Sequence, residues 1–221
     1  MMKEVITKDG SVTFFNECYH ETYHSTSGAL KEAFRKFAEP CNIAALAKRK
    51  KRIEILDVCF GLGYNSLAAI HTALQANPAC SISIVALESD SRIFHLIKKV
   101  KVPKHLSKEY NLIKKLKEDA LDIEEKNIHL YVLLGDARIT ITTIDKKFDA
   151  VFLDPFSPKK NPELWTREFF EQIKKRMKKN ACLATYSCAG IVRRNLRQAG
   201  FVVKDGPCVG RRSPSTIAVN R

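Results

Sequence analysis

An open, doubly wound α/β sheet, mostly parallel and carrying an N-terminal hairpin-and-helix elaboration, is the fold this sequence predicts. Three observations lead there. Four apolar, β-branched runs, at 52–57, 81–88, 128–136 and 148–154, each close on an acidic residue: Asp57, Glu88, Asp136 and Asp154. Runs of this length, apolar almost throughout, suit parallel strands covered on both faces. Helical patterns rather than tight turns separate them, as parallel crossovers require. The 221 residues read as a single domain, 1–221, with 1–50 as the elaboration over a cleft and 51–221 as the core.

Along the chain, Asp9-Gly10 marks a hairpin, because both residues tolerate left-handed backbone. A short helix over 28–38 follows and is stopped by Pro40. After the first core strand, Leu67, Ala68, Ile70 and Leu74 give 64–76 a helical stripe, and a second helix spans 90–100. The Lys/Glu-rich stretch 101–127 reads as a helical insertion before the third strand. A helix at 164–179, a strand at 181–186 and a helix at 189–199 come next, the last ended by Gly200 as its C′ glycine. Strands at 201–204 and 215–219 return the chain to the sheet.

Composition narrows the function classes. No apolar run approaches the roughly 18–20 residues that cross a bilayer, and the N-terminus has no apolar core of a signal peptide. Seven scattered cysteines, without a Cys-x-x-Cys pair, fit reduced thiols in the cytoplasm better than a disulfide framework or a zinc ribbon. Lys+Arg 38 against Asp+Glu 24 gives a net charge of +14. Such a surplus favours a polyanionic partner, since each cation set on a phosphate releases counterions. The plainer alternative is a solvated basic surface, and the runs at 48–52 and 174–179 are placed in a linker and at a helix end.

Ligands of open α/β sheets sit beyond the carboxyl ends of the strands, where all four acids lie. After Asp57 comes Val-Cys-Phe60-Gly61-Leu-Gly63-Tyr-Asn65, whose glycines let backbone turn tightly against a ligand. Gly-x-Gly alone also fits a dinucleotide site. A pyrophosphate, however, needs N–H donors and no carboxylate nearby. S-adenosylmethionine carries an ammonium, a sulfonium and no phosphate, so acids are welcome around it. Glu88 can accept both ribose hydroxyls, and Asp136, followed by Ala137, can accept from the adenine amino group. Read more plainly, Asp57 is a loop carboxylate and Asp136 a helix cap.

The fourth strand runs into Asp154-Pro-Phe156-Ser-Pro-Lys-Lys160-Asn-Pro-Glu-Leu-Trp165. An acidic-Pro-aromatic element suits transfer to nitrogen, because a carboxylate can orient an amine lone pair and hold the charged product. The stretch 154–170, together with 183–201, Phe60-Gly-Leu-Gly-Tyr-Asn65 and 21–30, resembles the MnmC-like methyltransferase domain family. The resemblance covers nearly the whole chain. It implies a Rossmann-like class I S-adenosylmethionine-dependent methyltransferase that N-methylates 5-aminomethyl-(2-thio)uridine at the tRNA wobble position. By position, Asp57, Phe60, Gly61, Gly63, Asn65, Glu88, Asp136 and Ala137 would hold the cofactor, and Asp154 and Phe156 would flank the amine and the uracil. Tyr23, His24, Ser27 and Lys160 would line the substrate wall, and Arg193, Arg194, Arg211 and Arg212 would contact tRNA. The flavin oxidoreductase of two-domain relatives has no room in this sequence. The amine would therefore arrive from the pathway that makes 5-aminomethyluridine.

His20-Glu21-Thr22-Tyr23-His24 satisfies the zinc-protease pattern, but that pattern works only on a helix, and these residues are poor helix formers. No metal is expected. Two other functions compete: an aminopropyltransferase-like enzyme acting on small amines, which the positive charge disfavours, and a non-catalytic RNA-binding protein on the same fold.

Overall fold

In the computed structural model, residues 3–221 are described. The N-terminal elaboration holds β1 (Lys3–Ile6), β2 (Val12–Asn16) and β3 (Glu21–Thr22), an antiparallel three-stranded sheet in that order. The turn between β1 and β2 falls at Asp9-Gly10, with Gly10 at φ 79. Helix α1 (Ala29–Glu32) continues as a π-helical segment, Ala33–Ala38, which ends before Pro40.

The core follows with α2 (Ile43–Arg49), β4 (Arg52–Val58), α3 (Tyr64–Ala76), β5 (Ser81–Glu88), α4 (Ile93–Lys99) and α5 (Ser107–Ile113). Then come β6 (Asp122–Glu125), β7 (Ile128–Leu134), α6 (Ala137–Thr140), β8 (Phe148–Leu153), α7 (Arg167–Lys175), β9 (Met177–Thr185), α8 (Gly190–Gln198), β10 (Val202–Asp205) and β11 (Thr216–Val219). Single 3-10 turns at Lys104–Leu106, Ile141–Thr143 and Pro162–Trp165 join them. The eight-stranded sheet has the order β10-β11-β9-β8-β4-β5-β7-β6. The pairs from β7 through β5, β4 and β8 to β9 are parallel, and the pairs involving β6, β10 and β11 are antiparallel.

Strand alternation divides the apolar residues into two layers. Ile53 and Ile55 of β4, with Ile82, Ile84 and Phe152, pack against α1 to α5. Leu56 and Val58, with Val85, Leu87, Val151 and Leu153, pack against α6 to α8. Helices on both faces make the sheet doubly wound. The chain leaves β4 toward β5 and returns to its other side at β8, so the crevice for a ligand opens at the carboxyl ends of β4 and β8.

Three expectations change. The stretch 101–127 is helical only as far as α5; its end is β6, antiparallel to β7, with Glu125 opposite Ile128 and Lys126 at φ 55. The exposed edge of β7 and the burial of Ile123 overrode a Lys/Glu composition that reads as helix. The 164–179 helix stops at Lys175, and Met177 already pairs with Phe148 in β9. Burying Met177 beside Phe148 of β8 outweighs one more helical turn of lysines. Lys48 and Arg49, placed in a linker, belong to α2, a short alanine-rich helix whose Ile43 and Ala47 are fully buried.

At Gly200 the reading and the structure agree. Its φ is +83, and the N–H groups of Gly200 and Phe201 close on the carbonyls of Arg197 and Leu196, as a Schellman end requires. Among the described residues, no helix is long and apolar enough to cross a membrane.

Candidate active site

The glycine loop joins β4 to α3. Gly61 and Gly63 stand at φ +53 and +75, and Cys59 at φ 66, the region glycine adopts at least cost. A Cβ on Gly63 would fall 2.9 Å from Phe60 Cζ and 3.0 Å from Ile113 Cγ2, so that glycine is required by packing. A Cβ on Gly61 would meet Tyr23 Cδ1 at 3.5 Å and His24 Cε1 at 4.0 Å, ordinary contact distances. The Gly61 N–H donates to Glu88 Oε2 at 2.8 Å, while Glu88 Oε1 accepts from the N–H groups of Ser89 (2.7 Å) and Asp90 (2.9 Å). Burial pushes the Glu88 carboxyl up, and these three donors oppose that shift.

A cavity of about 230 Å³ opens here. Gly61, Cys59, Leu87, Glu88, Asp136 and Ala137 form its sheet side, and Asn16, Tyr19, Tyr23 and His24 of the elaboration form its roof. Among the described residues, five carboxylates line it (Glu88, Asp90, Asp136, Asp154 and Glu163), and no lysine or arginine does. Arg92 and Arg138 stand outside, paired with Asp90 and Asp136. Asp136 is also the N-cap of α6, accepting from the Arg138 N–H at 2.9 Å, so the cap and a place on the cavity wall are compatible.

A second cavity, of about 440 Å³, adjoins the first and shares Tyr23, His24, Asp154 and Phe156 with it. The Asp154 loop is pinned on several sides. Trp165 Nε1 donates to the Phe156 carbonyl at 2.9 Å and Tyr186 to the Pro155 carbonyl at 3.0 Å; Glu21 accepts from the Ser157 N–H at 2.9 Å and from its hydroxyl. Asn65 Nδ2 donates to Asp154 Oδ2 at 2.8 Å. Burial, and then the negative charge of Glu32, push the Asp154 carboxyl well above the usual range; the Asn65 bond opposes them.

His24 is buried edge-to-face on Tyr64, with centroids 5.0 Å apart and Nδ1 without a partner. Burial pushes its pKa down to about 4, so it is neutral at pH 7. The helix that a zinc site would need at 20–24 is replaced by a turn at His20 (φ 52) and the short strand β3. Among the described residues, no group of three His, Cys, Asp or Glu converges on a metal position.

Other expected site residues lie elsewhere. Asp57 is fully buried beneath the loop, outside the lining of both cavities, and accepts from Ser66 Oγ at 2.7 Å. Ser27 hydrogen-bonds Ser25 Oγ at 2.7 Å beside Gly210. Arg193 donates to Thr216, Asp205 and the Ser215 carbonyl, bracing α8 against the last strands. Lys160, Arg194, Arg211 and Arg212 are exposed, and Arg211 also borders the second cavity. Tyr19, absent from the sequence reading, stacks on Phe156 with centroids 4.2 Å apart.

Asp57 carries a pH signature. Burial raises its pKa to about 7, above the unfolded value near 4. Between those values the folded state keeps a proton that the unfolded chain releases, so this group's contribution to stability falls as pH rises from about 4 to 7. Asp57→Asn is therefore expected to be more stable than the parent at pH 8, by as much as roughly 4 kcal/mol, and to lose that advantage toward pH 4. Denaturant midpoints across this range check it; a difference independent of pH would contradict it.

Comparison with known proteins agrees with this chemistry. The sequence profile of a family described as S-adenosyl-L-methionine-dependent methyltransferase matches residues 98–221. An uncharacterized protein of Methanocaldococcus jannaschii is 40% identical over 97% of this chain, which spans 58% of that protein. The tRNA 5-methylaminomethyl-2-thiouridine biosynthesis bifunctional protein MnmC of Ralstonia nicotianae is 30% identical over 93% of this chain, which spans 33% of it. The crystal structure of MNMC2 from Aquifex aeolicus superposes with a TM-score of 0.91 at 36% identity, covering 100% of this chain and 71% of that one.

Proposed function

This chain belongs to the S-adenosyl-L-methionine-dependent methyltransferase family, and we propose that it N-methylates the aminomethyl group of 5-aminomethyl-(2-thio)uridine at the tRNA wobble position. One observation carries the reading. In a chain of net charge +14, a cavity walled by carboxylates, and by no lysine or arginine among the described residues, meets a second cavity at Asp154 and Phe156. The first suits a cationic cofactor and not a pyrophosphate. The second suits an amine-bearing ring. When bound, the cofactor supplies a methyl group on positively charged sulfur.

The chain's own residues supply the rest. Glu88, with Oε1 already filled by two backbone donors and Oε2 by one, keeps one acceptor site on Oε2 for a ribose hydroxyl, and Asp136 and Ala137 offer the adenine an acceptor and an apolar face. Phe156 gives the substrate ring a stacking surface. Asp154 accepts an N–H of the amine. A carboxylate whose pKa is raised takes the ammonium proton more readily than a surface carboxylate does, which frees the lone pair for attack. Exposed Lys160, Arg194, Arg211 and Arg212 would meet tRNA phosphates, and the reaction would take place in the cytoplasm, where cysteines stay reduced. The 5-aminomethyluridine itself must come from another reaction.

Calorimetric titration with S-adenosyl-L-methionine, followed by labelled methyl transfer to tRNA from cells lacking the final modification, tests the proposal. Binding with labelling is expected. Binding without labelling of tRNA would overturn the substrate and turn attention to small amines, for which putrescine with decarboxylated cofactor is the probe.

A further inference from the structure

Glu32 and Lys36 form an ion pair one helical turn apart, Nζ to Oε1 at 2.5 Å, yet their side chains are only 9% and 4% exposed. Both line the second cavity, with Asp154, Phe156 and Tyr186. A buried pair costs more desolvation than its attraction returns in most settings, so stability alone does not account for it. Its valences are also unfilled. The Lys36 ammonium has three hydrogens and gives one to Glu32; Glu32 Oε2 accepts the Ser25 N–H at 3.1 Å and keeps further lone pairs. The cavity therefore presents a charged donor and a charged acceptor side by side. Both charges act on Asp154.

We propose that Glu32 and Lys36 read the base edge, Lys36 donating to the ring carbonyl and Glu32 accepting the adjacent ring N–H of a uracil-type imide. This rests on the reading that the cavity takes a modified uridine. In such a base the C4 carbonyl adjoins C5, which bears the aminomethyl group. A reader of that edge must then lie beside the residue that receives the amine, and the pair lies beside Asp154. Cytosine reverses both groups: its amino hydrogens would face the Lys36 ammonium and its ring nitrogen lone pair the Glu32 carboxylate. The pair is thus a specificity determinant, and the transfer itself is left to Asp154.

The test uses the whole protein with two anticodon stem–loop RNAs, one carrying 5-aminomethyluridine and one 5-aminomethylcytidine. The parent is expected to prefer the uridine RNA by about 10³-fold or more in kcat/KM. Lys36→Met should lower the uridine-over-cytidine ratio of kcat/KM by about 10²-fold, a ratio from which any effect through Asp154 cancels, and keep the S-adenosyl-L-methionine Kd within about twofold. Because Lys36→Met strands a buried carboxylate, E32Q/K36M, which leaves no charge, serves as the second variant and should narrow the preference equally. Equal losses on both RNAs, or a parent indifferent to the base, would overturn the assignment. A parent that binds the cofactor and methylates neither RNA would remove the uridine reading itself, and this inference with it.

Discussion

Asp154→Ala is expected to lower methyl transfer to tRNA by about 10²–10⁴-fold, with the cofactor Kd held within about twofold. The asymmetry follows from geometry. Asp154 stands where the two cavities meet, and its loop is held by Trp165, Tyr186 and Glu21, none of which depends on its carboxylate. Removing the side chain therefore costs one contact of Asn65 and leaves the loop in place. What is lost is the acceptor that orients the amine and takes its proton. Asp154→Asn separates these two tasks. It still accepts an N–H but cannot take a proton, so its residual rate should climb with pH until the free amine dominates, whereas Asp154→Ala, which lacks the orienting acceptor as well, should climb over the same pH range to a lower plateau. Single-turnover methyl transfer between pH 6 and 10 measures both. An Asp154→Ala protein that binds the cofactor weakly but transfers normally when saturated would reverse the assignment.

The parts legible in the sequence are those that depend on near neighbours. The four strands were readable because fully buried parallel strands need unbroken apolar residues, and their acidic ends mark the crevice by position alone. Asp57 shows the limit. Its place at a strand end was plain, but residue parity turns its side chain to the face of Ile53 and Ile55, under the loop and against Ser66. Arg193 and Arg194 are indistinguishable as letters. One helical step of about 100° separates a guanidinium tied to Asp205 from one in solvent. Glu32 and Lys36 fail for the opposite reason: a Glu–Lys pair four apart is the pattern of an exposed helix face, and only the tertiary structure buries it. Tyr19 sits in a turn without periodicity, so nothing local marked its stacking on Phe156.

Glu88→Ala should act on the other side of the transfer, raising the cofactor Kd by about 10- to 150-fold, the range for losing a charge-assisted hydrogen bond worth roughly 1.5–3 kcal/mol. The carboxylate is preorganised: the Gly61, Ser89 and Asp90 N–H groups fix both oxygens before any ligand arrives. A ribose hydroxyl then meets, at the free site of Oε2, an acceptor that needs no reorientation, which is why so much affinity is assigned to one side chain. Glu88→Gln is expected to recover little. Its amide must turn an NH₂ toward either Gly61 or the Ser89 and Asp90 pair, setting donor against donor. Calorimetry gives the Kd, and transfer at saturating cofactor gives the contrast with Asp154, because the Glu88→Ala rate should return to within about threefold of the parent if the loss is uniform binding. If saturation failed to restore it, Glu88 would be shaping the glycine loop around the methyl group, and its role would belong with that of Asp154.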